Sequence, residues 1–145
     1  MQATADTARR LGEFLRFLIQ SAGNDFLRAV EDAELSLTQL KAMHVLGSAD
    51  EELSLNGLAE RLGGLSLPTL SRAVEALVQR GYVSRSEDAT DRRIKRLRLT
   101  AKGRRTIDRL VEIRAAEFEE VLETLTDEER ERLANALAPI LERRA

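Results

Sequence analysis

The chain of 145 residues has no cysteine and no tryptophan, and only one histidine, one tyrosine and two prolines. Without thiols it has no disulfide framework, no thiolate metal site and no thiol redox sensor. The lone histidine, His44, sits beside apolar Met43 and Val45 and reads as a packed or interface residue. It cannot supply a metal site by itself. Aromatic residues make up 3% of the chain, too few for the stacking platforms on which single strands of nucleic acid are held. No uninterrupted apolar run approaches the roughly 18 residues that a membrane span needs. The opening MQATADTARR holds no apolar signal core either. A cytoplasmic protein with no membrane partner is expected. No nucleophile and base pair, no phosphate-cradling glycine loop and no metal-ligand spacing can be found, so neither an enzyme nor a cofactor is expected.

What the chain does have is charge, unevenly spread. The net charge is -2, which is unpromising for a nucleic-acid partner, but phosphates respond to the local field. Residues 54–105 hold 12 Lys and Arg against 5 Asp and Glu, a net of +7, and the remainder holds 11 against 20, a net of -9. The basic third is also the most patterned. From Ser66 to Thr100 the sequence SLPTLSRAVEALVQRGYVSRSEDATDRRIKRLRLT predicts a helix, a strand, a charged tip and a second strand. Ser66 can cap a helix start, Pro68 is tolerated in a first turn and Gly81 suits a left-handed stop. Leu70, Val74, Leu77 and Val78 form its apolar face. Thr69, Ser71 and Arg72 lie near its N-terminal end, where a recognition helix meets base edges and phosphates.

The segment Tyr82 to Arg85 reads as a short strand. From Ile94 to Leu99, Leu97 and Leu99 alternate with Arg96 and Arg98, as in a half-buried hairpin with a cationic outer face. The intervening EDATDRR is too polar to bury. Arg85, Arg92, Arg93, Lys95, Arg96 and Arg98 are the candidate DNA contacts of this wing, since it follows a helix-turn-helix pattern. In that pattern NGLAERLGG is a brief helix capped by Asn56, with Leu58, Ala59 and Leu62 inward and Gly63 and Gly64 in the turn.

On either side lie helices. A first stripe, Leu11, Phe14, Leu15, Leu18, Ile19, Phe26, Leu27 and Val30, predicts a long helix over about 4–32 that bends or breaks at Gly23 and Asn24. Ser36 or Thr38 starts another helix, ending near Gly47, and Asp50 to Leu55 can give one edge strand. Thr100 caps a helix that runs to about Thr124. Thr126 to Glu129 is a capping-box pattern opening the last helix, which Pro139 should bend. The terminal stripes are longer than a small domain needs, which suggests a second copy of the chain.

Asp91-Arg92-Arg93, followed by Leu99-Thr100 and Gly103 behind a helix-turn-helix, resembles the MarR family of bacterial transcriptional regulators over essentially the whole chain. The resemblance implies a homodimer joined through its terminal helices and a pseudo-palindromic double-stranded operator. It also implies, in many members, release by a small and frequently anionic aromatic ligand bound between the dimer and DNA lobes. Arg93 matches the wing arginine that enters the minor groove and Asp91 the acid that holds it. Ser66, Pro68, Thr69, Ser71 and Arg72 match the start of the recognition helix. The redox-sensing branch of the family uses an N-terminal cysteine, which is missing here, so a ligand or no signal at all would do the regulating. Arg16, Asp25 and Arg28 read as surface residues, and the ligand site stays unassigned.

The expected fold class is mainly α with a small β-wing (α+β), a winged helix-turn-helix lobe at about 36–100 flanked by dimerisation helices at about 4–32 and 101–145, all in one domain spanning 1–145. The expected function is a sequence-specific, homodimeric DNA-binding regulator, read as a repressor, with a small-molecule effector as an open partner. The rival reading is a winged-helix protein-interaction module without DNA binding, for which a neutral or acidic wing would be expected.

Overall fold

The computed structural model describes residues 2–143; residues 1, 144 and 145 of the expected span lie outside the described residues. Among the described residues seven helices and three strands follow in order: α1 Gln2–Ser21, α2 Asp25–Asp32, α3 Leu37–Ser48, β1 Leu53–Ser54, α4 Leu55–Leu62, α5 Leu67–Gln79, β2 Val83–Glu87, β3 Lys95–Leu99, α6 Ala101–Glu123 and α7 Asp127–Glu142. The mainly α fold with a small antiparallel sheet agrees with the sequence expectation. The chain divides into two compact units, Leu27–Glu112 and Met1–Phe26 with Ile113–Ala145.

The 27–112 unit holds nearly all of the well-buried apolar side chains. Met43, Leu58, Leu70, Val74, Leu77, Val83 and Leu97 are each at most 2% exposed, and they come from α3, α4, α5 and the sheet. Each helix start has a local cause. Ser36 caps α3 by accepting from the Gln39 N–H, while the Gln39 side chain accepts from the Ser36 N–H, which satisfies two orphan donors. Ser66 caps α5 by accepting from the Thr69 N–H at 3.3 Å. Helix α5 stops where predicted, with Gly81 at φ 76 and its N–H donating to the Val78 carbonyl. The sheet order is β1-β3-β2, both pairs antiparallel, with Leu53 and Arg85 facing Leu97 from either side.

The stretch 4–32 breaks at the expected place: Ala22 to Asn24 leave the helix and α2 restarts at Asp25. Three details differ from the sequence reading. Helix α4 is capped by Ser54 rather than Asn56, the Ser54 hydroxyl accepting from the Gly57 N–H at 3.0 Å. Serine at the end of β1 already has the extended backbone that a cap requires. The first wing strand extends to Glu87 rather than Arg85, since its partner β3 supplies pairs out to Lys95. His44 is exposed rather than packed, which leaves the interface alternative of its reading.

The motif glycine after Leu99-Thr100 acquires a physical reason. The Thr100 hydroxyl donates to the Gly81 carbonyl at 2.6 Å and accepts from the Gly103 N–H at 3.1 Å. The Thr100 N–H donates to the Tyr82 carbonyl at 3.0 Å. This clasp draws the first turn of α6 so close to Tyr82 that a Cβ on Gly103 would fall far inside van der Waals contact of the Tyr82 carbonyl oxygen. Backbone blocks the space, so no side-chain rotation relieves it. Gly103→Ala is expected to destabilise the fold by at least about 1 kcal/mol, measured as a lower denaturant midpoint; an unchanged midpoint would show that α6 tolerates the displacement.

In the other unit, α7 opens with the predicted capping box of Thr126 and Glu129. The Thr126 N–H and hydroxyl hold the Glu129 carboxyl below its ordinary range. Pro139 lies inside α7. Neither α1 nor α7 has a buried residue, and Leu11, Leu15, Ile19, Leu137, Ile140 and Leu141 are exposed. Two residues of α6 depart from this open packing: Val121 is 2% exposed, and a polar residue, Glu117, is only 4% exposed. It accepts from the Phe26 N–H near the start of α2 at 2.9 Å and from Arg114 at 3.0 Å. The Arg114 guanidinium in turn lies 3.7 Å from the Phe26 ring centroid. Among the described residues no helix is long and apolar enough to cross a membrane.

Candidate nucleic-acid interface

The 27–112 unit presents α5 and the β2–β3 hairpin together. On α5, Leu70, Val74 and Leu77 are buried while Pro68, Thr69, Ser71, Arg72 and Glu75 are exposed, so one amphipathic helix turns its polar N-terminal face outward. The Ser66 hydroxyl is occupied in capping and donates to the Thr69 hydroxyl at 2.8 Å. Arg72 bonds back to the Pro68 carbonyl through Nε at 3.3 Å. Between helix and hairpin lies a cleft of about 380 Å³ lined by residues that include Asn56, Ser71, Glu75, Arg85, Arg93 and Lys95.

The wing is basic, but most of its cations are already engaged. Arg85 meets Glu75 of α5 at 2.6 Å, Arg96 meets Asp88 at 2.6 Å and Lys95 meets Glu87 at 3.1 Å. Arg92 lies 3.9 Å from the same Glu87 and Arg98 lies 3.6 Å from Glu52. Among the described residues, Arg72 and Arg93 alone of the seven candidate cations pair with no carboxylate. Arg85 thus ties β2 to α5, and Arg98 lies near the residue just before β1.

At the tip, Asp91 accepts from the backbone N–H of Arg93 at 3.0 Å. The expected contact with the Arg93 guanidinium is not among its bonds; two residues of separation favour a local Asx turn over a side-chain pair. A second acid, Asp88, does more of the organising. It accepts from the Thr90 hydroxyl and from the N–H groups of Thr90 and Asp91, at 2.7, 3.0 and 3.1 Å, besides its bond to Arg96. The Thr90 hydroxyl foremost, then the Arg96 guanidinium and the two backbone donors, hold the Asp88 carboxyl well below the usual carboxylate range. Whatever order this ionised form imparts is present above the ordinary carboxylate range and lost only as pH falls through the lowered value. Sequence reading passed over Asp88, Glu75 and Glu52 because it counted charges along the chain. For Asp88 a signal was available, an Asp two residues before a Thr in a polar turn.

A second cleft in this unit, about 330 Å³, is lined by residues that include Asp32, Tyr82, Lys102, Arg105 and Arg109. The Lys102 ammonium lies 4.4 Å from the Tyr82 ring centroid and donates to the Arg80 carbonyl at 2.8 Å. Arg80, the C-cap of α5, reaches back to the carbonyls of Ala33 and Glu34. Among the described residues no group of three His, Asp or Glu side chains is placed to hold a metal ion.

A helix-turn-helix followed by a basic antiparallel hairpin defines a winged helix-turn-helix protein. Residues 33–94 match the model of the MarR family, from the end of α2 through the wing tip. That stretch of the chain is similar to the MarR family, and the fold around it is shared with solved structures. Solved structures share the fold along nearly the whole chain. YusO of Bacillus subtilis is 22% identical, with 97% of this chain and 96% of that one covered and a TM-score of 0.71. Wild-type MarR from E. coli, in its apo form, is 21% identical, with 90% and 96% covered and a TM-score of 0.69. A mutant of S. aureus MepR bound to an oligodeoxyribonucleotide is 20% identical, with 93% and 98% covered and a TM-score of 0.67.

Proposed function

We propose that this protein is a MarR-type transcription regulator that binds a pseudo-palindromic double-stranded operator as a homodimer, in the cytoplasm, and represses the genes beside it. The observation that carries the reading is the sorting of its cations. Three of the candidate basic residues, Arg85, Lys95 and Arg96, are hydrogen-bonded to carboxylates and two more, Arg92 and Arg98, lie within 4 Å of one, which leaves Arg72 on α5 and Arg93 at the wing tip as exposed forks of donors paired with no acid. A guanidinium on the recognition helix suits phosphates or guanine edges of the major groove, and one on a projecting tip suits the minor groove. Ser66, Pro68, Thr69 and Ser71 then form the base- and phosphate-facing start of α5. Asp91 shapes the tip, while Arg85, Arg92, Lys95, Arg96 and Arg98 border the duplex. The S. aureus MepR structure with bound oligodeoxyribonucleotide is consistent with this use of the fold.

Dimerisation is supported by α1, a 20-residue amphipathic helix without one buried residue. An isolated helix of that kind gains too little from its own hydrogen bonds to persist, and its apolar stripe calls for a partner surface. Two symmetry-related α5 helices must reach one face of the duplex, so the half-sites lie about one helical turn, roughly 10 base pairs, apart. The cationic cleft of Lys102, Arg105 and Arg109 supports a small anionic effector, since its cations outnumber the one acid, Asp32, on its wall. The test is selection of bound fragments from the source genome, followed by gel shifts at two salt concentrations. Fragments with inverted symmetry, bound more tightly than arbitrary duplex, are the expected result. Capture of arbitrary duplex alone, or of none, would favour the protein-interaction reading.

A further inference from the structure

The geometry points to Asp88, outside the D-x-R pair, as the positioning residue that sets the wing tip for DNA. The inference rests on the DNA-binding reading above. Its side chain is 12% exposed although it belongs to a projecting hairpin. A carboxylate offers about four acceptor positions, and here four donors converge on it. Oδ2 takes the Thr90 N–H, the Thr90 hydroxyl and the Asp91 N–H, and Oδ1 takes the Arg96 Nε–H. The Asp88 N–H itself donates to the Ile94 carbonyl at 3.0 Å, and the Ile94 N–H donates to the Asp91 carbonyl at 2.9 Å.

A chain of constraint follows. Asp88 fixes the backbone of Asp91, and Asp91 accepts from the Arg93 N–H. On the other side of Arg93, Ile94 is pinned by its backbone bonds to both Asp88 and Asp91. Arg93 therefore projects from a backbone whose direction is set before DNA arrives, which reduces the ordering cost at binding. Its guanidinium meets no carboxylate. Asparagine is a poor substitute in one respect only: its amide oxygen can serve the three tip donors, but its NH2 group would face the Arg96 N–H, donor against donor.

Simple electrostatics makes the opposite forecast, since removing an acid beside a phosphate backbone should tighten binding to every sequence. The experiment measures operator and arbitrary-duplex affinities for the wild type, Asp88→Ala, Asp88→Asn, Arg93→Ala and the double variant Asp88→Ala/Arg93→Ala at one salt concentration. Asp88→Ala is expected to lose roughly three- to tenfold in operator affinity, the size of ordering one long side chain, while holding or gaining affinity for arbitrary duplex. In the Arg93→Ala background the further loss should vanish. Asp88→Asn should lose less and should keep the Thr90 and Asp91 amides slow to exchange with solvent in the free protein, whereas Asp88→Ala speeds them. If Asp88→Ala cannot be folded, the asparagine variant and its exchange rates decide the matter. Operator affinity unchanged or raised in Asp88→Ala, losses that multiply with Arg93→Ala, or tip amides indifferent to both substitutions would each overturn the proposal alone. A wild type without preference for any operator would instead overturn the DNA-binding reading, and the proposal with it.

Discussion

Arg93→Ala is expected to weaken operator binding by about 1–3 kcal/mol and to flatten base preference at the positions under the wing. A narrow, A·T-rich minor groove concentrates negative potential, and a guanidinium with its fork of donors is the side chain best suited to enter it. The residue is exposed and has no carboxylate to leave before it binds. Arg96→Ala should behave differently from a lost phosphate contact, because Arg96 holds one oxygen of Asp88 at 2.6 Å. Its removal loosens the tip, so part of its loss should disappear once Arg93 is already alanine. Equilibrium titrations on the operator, and on operators altered under the wing, check both statements. Unchanged affinity and unchanged preference in Arg93→Ala would mean that the hairpin is only a charged surface loop.

The larger effect is expected from the terminal helices. Leu15 is 53% exposed in the single chain, and burying a leucine contributes about 1.5–3 kcal/mol. In a two-fold interface each substitution acts twice. Leu15→Glu replaces that gain with two carboxylates facing an apolar surface, so the dimer should dissociate at micromolar concentration, as read by sedimentation. Operator affinity should fall by at least an order of magnitude, since each lobe is left with one half-site. Binding of arbitrary duplex, which depends on local charge, should fall less. A wild type that sediments as a monomer at micromolar concentration would remove the basis of this expectation.

How much of this was legible in the sequence depends on the range of the interaction. Caps and stops are local, so Ser36, Ser66, Gly81 and the box of Thr126 and Glu129 could be read from neighbouring letters. Ser54 was missed because serine and asparagine two positions apart both suit a cap, and only the pairing of β1 with β3 decides where the strand ends. Helix α5 and the basic hairpin could be read by pattern. The pairing of their cations could not, because Arg85 with Glu75 and Arg98 with Glu52 meet through folding across separations that no periodicity marks. Glu117 was invisible for a related reason. It sits among apolar positions of α6, and its burial is compensated by Arg114 and by a backbone N–H from another helix.

The paired cations of the wing also change what salt does. Binding to duplex draws strength from counterion release, about 0.9 ion for each phosphate that a protein cation newly neutralises. A lysine or arginine already facing a carboxylate, as Lys95 and Arg96 do, brings its acid to the phosphate along with itself and releases little. The grip on DNA is then less steeply dependent on ionic strength than the count of basic residues implies. It also means a weak hold on random sequence, so the protein would spend little of its search sliding along the duplex and more of it hopping between sites.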